Sequence, residues 1–387
     1  MDSSLIVDSP ERAALRAAVG KLVGKYGHEY FADCATRHVE PTELWKDLGA
    51  AGFLGIHLSE EYGGGGGTMG DLAVAIEETA TQGCPLLLSV ISPAICGTIL
   101  DKHGSHELKS RWLPGIADGS RKMAFAITEP DAGSNSHVIT TTARPDGDGW
   151  RINGTKYWTS AIDEADAVLV VVRQPEPDAK GKHPLSLFVV PTDAPGLSWT
   201  PIPAALSQPE HQFTVFFDDV AIGPEALIGV EGQGLRQVFS GLNPERITAA
   251  CISNGIARYA LNKAVRYATE RQVWNVPIGS HQGVSHPLAE CYIGTQTARL
   301  VTYRAAELYD LGLEAGEASN IAKFVSADSS LRTLDQAMQV HGGNGMSLEY
   351  GLADLWFVAR MLKTAPVSRE MVLNFVAQHS LKLPASY

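Results

Sequence analysis

The sequence predicts an α+β protein whose helices and strands are segregated along the chain, helices first, then strands, then helices again. Three observations carry this. Up to about residue 120, apolar residues recur at three- and four-residue spacing. Between residues 123 and 228, short runs rich in Val, Phe, Trp and Thr alternate with turn signals. After Gly234 the helical spacing returns. A doubly wound protein would interleave the two kinds of element, so that class is excluded. The chain has 387 residues, room for about two or three compact units. The expected boundaries are 1–121, 122–231 and 232–387.

In the first part, ERAALRAAVGKLVGKYGHEY, TELWKDLGAAG and MGDLAVAIEETATQ read as helices. Residues 63–67 are five glycines and read as a flexible loop. Gly65, Gly67 and Gly70 fit G-x-G-x-x-G by spacing, but no buried strand precedes them, as a dinucleotide fingerprint requires. Residues 83–100 are uncharged for the length of a membrane span. Pro85, Pro93, Gly97, Ser89, Ser92 and Thr98 interrupt them, and a buried helical segment is the reading. In the middle part KMAFAI, WRINGTKYW, AVLVVV, LSLFVV and FTVFF are strands, with tight turns at PDGDG before Trp150 and DAPG at 193–196. The last part carries ERITAACISNGIARYALNKAVRYATER, PLAECYIGTQTARLVTYRAAELYDLG and a long helical segment over 318–340. Asn243 reads as an N-cap and Pro244 as the first helical residue. That places Glu245 in a first turn, where the helix dipole favours an acid by about 0.3–1 kcal/mol.

Forty-three acidic against 31 basic residues leave a net charge of −12, a field that repels nucleic acid and anionic lipid. Cys34, Cys84, Cys96, Cys251 and Cys291 form no C-x-x-C pair, which argues against a zinc site or a disulfide framework and for a reducing compartment. His281 and His286 are too far apart for one helix face, and no metal is expected. The N-terminus has early acids and no apolar core, so the protein reads as cytoplasmic, without a membrane span. No nucleophile elbow supports a hydrolase.

Three segments carry chemistry together. Ala126-Ile127-Thr128-Glu129-Pro130-Asp131-Ala132-Gly133-Ser134-Asn135 leaves a strand for a Gly-Ser turn whose amides and hydroxyls can meet a polar ligand. Asn153-Gly154-Thr155-Lys156-Tyr157-Trp158-Thr159-Ser160 ends a strand with an aromatic plane and two hydroxyls. Gln339-Val340-His341-Gly342-Gly343-Asn344-Gly345 places glycines where backbone approaches a ligand or a second chain. In this order the segments resemble the acyl-CoA dehydrogenase family over nearly the whole chain. The resemblance implies an N-terminal helical domain, a middle β-barrel or sandwich domain and a C-terminal four-helix bundle. It also implies one FAD per subunit in a homotetramer or dimer. By the same resemblance Phe125, Ile127 and Thr128 line the isoalloxazine ring, Trp158 covers it, and Ser160 lies near N5. Ser134 borders the flavin phosphates and the thioester arm, and Ser368 keeps a hydroxyl from the family pattern on the cofactor side. Arg271 and Gln282 reach the FAD of a neighbouring subunit, an arginine fork suiting pyrophosphate. Gln339 and Gly343 hold the adenosine side of that same FAD.

Dehydrogenation of an acyl thioester needs a base for the Cα proton and an acceptor for the Cβ hydride. At the position where many members carry the basic glutamate this chain has Pro366, within Thr364-Ala365-Pro366-Val367-Ser368. In isovaleryl-CoA dehydrogenase-like members the glutamate comes from a C-terminal-domain helix, and there this chain has Asn243-Pro244-Glu245-Arg246-Ile247. Glu245 is therefore the expected catalytic base, with Asn243 and Arg246 beside it on the substrate. Phe357-Val358-Ala359, Trp274-Asn275 and Asn135 also depart from the pattern, which points to an unusual substrate. The expected activity is FAD-dependent dehydrogenation of an acyl-CoA or acyl-carrier-protein thioester, with an electron-transfer flavoprotein as re-oxidant. The alternatives are a flavin oxidase or monooxygenase on the same scaffold and a flavin-binding paralogue without chemistry.

Overall fold

Residues 5–179 and 181–385 are described by a computed structural model. The first helix, α1 (Pro10–Val23), opens as its sequence dictates, with Ser9 accepting from the Arg12 amide and Pro10 in the first turn. The long helix expected over residues 11–30 is two. Gly24 caps α1, the chain turns, and α2 (Gly27–Arg37) restarts from a glycine at φ 67°. Then come α3 (Thr42–Ala50) and α4 (Met69–Thr81), the latter opened by a reciprocal Thr68/Asp71 capping box. Helix α4 is buried nearly all round, its apolar residues by packing and its Glu77 and Glu78 by arginine partners, with α1 on one side and the C-terminal helices on another.

The five-glycine run is no flexible loop. The amides of Gly64, Gly65, Gly66 and Gly67 donate to the carbonyls of Ser59, Gly55, Leu58 and Ile56, a ladder that folds the run onto the preceding segment. A Cβ on Gly64 would lie 2.2 Å from the Leu58 carbonyl oxygen. The glycines are there because backbone meets backbone. Residues 90–97 form a wide-turned helix, Val90–Gly97, running into α5 (Thr98–His103), and α6 (His106–Asp118) follows. Cys84, Ile95, Ile99 and Leu100 are fully buried, so the uncharged stretch is a core segment. Among the described residues no helix is long and apolar enough to cross a membrane.

The middle region is a sheet of β1 (Met123–Ala126), β2 (Thr142–Asp146), β3 (Gly149–Ser160), β4 (Ala167–Arg173), β5 (Leu185–Pro191), β6 (Leu197–Pro201), β7 (Gln212–Ile222) and β8 (Leu227–Ile228). Its order is β6-β7-β3-β2-β4-β5-β8, with β1 paired parallel to β4. Strand β4 reads as an unbroken apolar run because both faces are covered. Val168, Val170 and Val172 join the sheet's own core with Phe188 and Phe217, while Leu169 and Val171 join the helical core.

The last part holds α7 (Gly234–Glu270), a hairpin of β9 (Gln272–Val273) and β10 (Val276–Pro277), α8 (Gln282–Asp310), α9 (Gly316–His341), α10 (Trp356–Met361) and α11 (Arg369–Phe375). Helices α7, α8 and α9 pack on one another, and α4 lies against α7 and α8. Here the expectation for Asn243 and Pro244 is overturned. Helix α7 begins at Gly234, so Asn243 is no N-cap, Pro244 is an interior proline and Glu245 lies beyond the reach of the N-terminal dipole. Pro244 has no amide to give the Ser240 carbonyl, and the Tyr309 hydroxyl donates to that carbonyl instead at 3.3 Å. A neighbouring helix thus satisfies the group that the proline orphans.

Candidate active site

One wall of the site is the end of β1 and the crest of β3. Lys156 falls on the inward register of β3, two residues on from Gly154 and four from Ile152, and its side chain is fully buried. Its Nζ donates to Glu129 Oε1 at 2.9 Å and to the Ile127 carbonyl at 3.1 Å. Glu129 also accepts from the amides of Thr140 and Thr141 at 2.6 and 2.9 Å. Burial pushes the Glu129 carboxyl up, but the Lys156 ammonium and the threonine donors outweigh it and hold the group at about 2. The Tyr157 amide donates to the Thr128 carbonyl at 2.8 Å. These bonds fix Phe125, Ile127 and Thr128, all half-buried, beside β3.

The register between β3 and β7 slips between Lys156 and Thr159. The slip puts Trp158 at φ 57° with its indole 47% exposed, on a strand whose other large apolar groups turn inward. Just beyond it, the Ser160 hydroxyl donates to Gln212 Oε1 at 2.8 Å. Ser134 lies exposed after the Glu129–Ala132 bridge.

The other wall is α7. Helix Val90–Gly97 touches both walls. Ser92 Oγ accepts from the Met123 amide at 3.1 Å and Cys96 donates to the Ala124 carbonyl, while at Gly241 of α7 a Cβ would lie 3.2 Å from Ile95. Cys96 also lies within electrostatic reach of Glu245. Burial pushes the Glu245 carboxyl up to about 7, against the opposing pull of Arg246 and Lys323. With the dipole out of reach, desolvation decides the direction. Arg246 donates through Nη1 to Asn243 Oδ1 at 3.1 Å, and its Nε is buried without a partner. Asn243 is therefore an acceptor that aims the arginine.

The remaining expected residues do not join these walls within one chain. Arg271 and Gln282 lie exposed at the far end of α7 and the start of α8, with Gln339 and Gly343 exposed at the end of α9. Tyr267 ties this second group together. It stacks on His341 with ring centroids 4.2 Å apart, and its hydroxyl accepts from Asn344 at 3.2 Å. At 1.5 Å per residue the group lies about 39 Å along α7 from Glu245. Ser368 is the N-cap of α11, accepting from the Met371 amide. Sequence reasoning gave no role to Glu129, Lys156, Cys96 or Lys323. The available signal was register: Lys156 on an inward strand position, and Lys323 in step with buried Ser326, Ser330 and Ala337 on α9.

The family descriptions for the acyl-CoA dehydrogenase N-terminal, middle and C-terminal domains match residues 9–120, 124–220 and 232–381 in that order. The chain belongs to the acyl-CoA dehydrogenase family. Its relatives include acyl-CoA dehydrogenase FadE12 of Mycobacterium tuberculosis, 55% identical over 389 residues with both chains fully covered. Glutaryl-CoA dehydrogenase of Desulfococcus multivorans is 32% identical, covering 85% of this chain and 84% of that protein. Among solved acyl-CoA dehydrogenase folds, the glutaryl-CoA complex of a glutaryl-coenzyme A dehydrogenase superposes with a TM-score of 0.93 at 28% identity, covering 99% of this chain and 98% of the other.

Proposed function

We propose that this chain is an FAD-dependent acyl-CoA dehydrogenase in which Glu245 takes the Cα proton. FAD, when bound, supplies the acceptor for the Cβ hydride. The residues present fit such a group: the half-exposed Trp158 indole offers an uncovered face for a flat ring, and a Cβ placed on Gly342 or Gly343 would meet nothing within 4 Å. Phe125, Ile127, Thr128 and Ser160 would hold the ring beside Trp158. Arg271, Gln282, Gln339 and Gly343 of a second copy would hold the phosphates and adenosine, a division supported by their accessibility and their distance from Glu245. Ser134 would border the phosphates and the thioester arm. Ser368, whose hydroxyl caps α11, would add a hydroxyl on the cofactor side.

The observation that carries the assignment is a half-buried, desolvated carboxylate poised near neutrality beside the helix that β1 packs on. In the reaction the Cα–H proton passes to Glu245, the Cβ hydrogen leaves with its electron pair, and a Cα=Cβ bond forms. A substrate entering this wall expels water, which raises the proton affinity of Glu245 further at the moment it must accept a proton. Arg246, aimed by Asn243, favours the ionised carboxylate beforehand. Re-oxidation by an electron-transfer flavoprotein and a reducing, cytoplasmic setting complete the proposal; the latter is supported by five buried free cysteines.

Glu245→Gln is expected to leave FAD bound and to stop the anaerobic bleaching of the flavin by a panel of acyl-CoA and acyl-carrier thioesters. Bleaching at near the wild-type rate in that variant overturns the assignment.

A further inference from the structure

Lys323 is one of the most deeply buried lysines in the molecule, 2% exposed on α9. Its Nζ donates to two main-chain carbonyls, those of Lys363 at 3.2 Å and Val367. Among the described residues no carboxylate stands in ion-pair contact with it; its neighbour Asp328 is taken by Lys363 and Arg369. A buried ammonium held by carbonyls alone is expensive, and two carbonyls could be tied by any neutral donor. The positive charge itself therefore needs an explanation.

The charged groups facing Lys323 supply one. Asp328 lies on its own helix, Glu370 on α11, and Glu245 with Arg246 on α7, against which α9 packs. Of these, Glu245 is the carboxyl raised by burial and pulled back by the two cations. We infer that Lys323 is a positioning residue for the base: its ammonium ties down the 363–367 loop and, across the α7–α9 contact, keeps Glu245 ionised in the free enzyme. This rests on Glu245 being the base. Burial also draws the Lys323 ammonium down to about 8, with Asp328 opposing. The charge is present over the range in which Glu245 titrates and fades above it.

Three variants separate charge from bracing. Lys323→Gln keeps hydrogen-bond donors and loses the charge, Lys323→Arg keeps the charge, and Lys323→Met loses both. Two readouts are taken on FAD-loaded protein: the acid limb of kcat/KM, and an infrared difference titration of the Glu245 carboxyl, assigned against Glu245→Gln. Lys323→Gln and Lys323→Met are expected to move both midpoints upward by about one pH unit, the size of effect a nearby charge produces. Lys323→Arg is expected to leave them in place. Wild-type midpoints in Lys323→Gln, with only a lower melting temperature, overturn the inference and leave the lysine a brace. If Lys323→Met does not fold, Lys323→Gln decides alone. The infrared arm reads Glu245 whether or not it is the base, so failure of the proposed function shows separately, as bleaching that survives Glu245→Gln.

Discussion

A carboxylate becomes a useful base near neutral pH only if something opposes its ionisation, and at Glu245 that is burial, which lifts it to about 7. Glu129 shows the opposite outcome in the same molecule. It is the more fully buried of the two, yet the Lys156 ammonium and the threonine donors hold it at about 2, so it is a structural anion and not a base. The two acids differ in their partners, not their chemistry. As the proposed base, Glu245 must be deprotonated in the free enzyme, so kcat/KM is expected to fall as the pH drops through about 7. A kcat/KM profile measured with an acyl-CoA substrate checks this, and a flat profile down to the ordinary carboxylate range would remove Glu245 from the role. Glu245 was legible because a family position and an acidic residue coincided. Lys156 and Lys323 were not, because a lysine reads as solvent-exposed until its register is known.

At the scale of elements, a pair of buried acids on α4, Glu77 and Glu78, helps clamp the N-terminal helices to the C-terminal ones. Glu77, in the middle of α4, is fully buried and accepts from Arg258 of α7 and Arg299 of α8 at 2.9 Å and from Arg16 of α1 at 3.3 Å. Burial pushes its carboxyl up, and the three guanidiniums more than offset this and hold it below its ordinary value of 4.5. Glu77→Gln would take a buried anion from three guanidiniums, of which Arg258 keeps Glu78 and Arg16 keeps Asp8, and is expected to cost about 3 kcal/mol, read from urea unfolding at neutral pH. Because the folded carboxyl is depressed, the stability it contributes is present above 4.5 and is lost as the pH falls below that value. A Glu77→Gln protein with wild-type stability and an unchanged acid transition would dismiss the clamp. The element boundaries that sequence misplaced share one cause. Gly24 and Pro244 are both breakers by propensity, but only Gly24 breaks a helix, because Tyr309 restores the bond that Pro244 cannot make.

For the whole molecule, the proposed cofactor residues fall into two groups about 39 Å apart along α7. In the proposed site one chain would supply the ring wall and the base, and the group at the far end of α7 of a second copy would complete it. This predicts complementation. Arg271→Ala and Glu245→Gln proteins are each expected to be inactive alone, whereas a mixed assembly purified through a different tag on each copy recovers activity, because one site then pairs an intact Glu245 with an intact Arg271. A flavin-loaded mixed assembly without activity would show that both groups serve the same chain.

The sequence by itself determined the segregated helix–strand–helix order, the family, and the candidate base at Glu245, because periodicity and short motifs are local properties that survive without coordinates. The tertiary structure decided what those residues experience. It set Glu245 inside a long helix instead of at a helix start, paired Glu129 with Lys156, buried Lys323 on the helix packed against α7, and separated the two groups of proposed cofactor residues. Proton affinity depends on every charge and dipole within a few ångströms in space, and residues that close can be far apart in sequence, as Glu245 and Lys323 are.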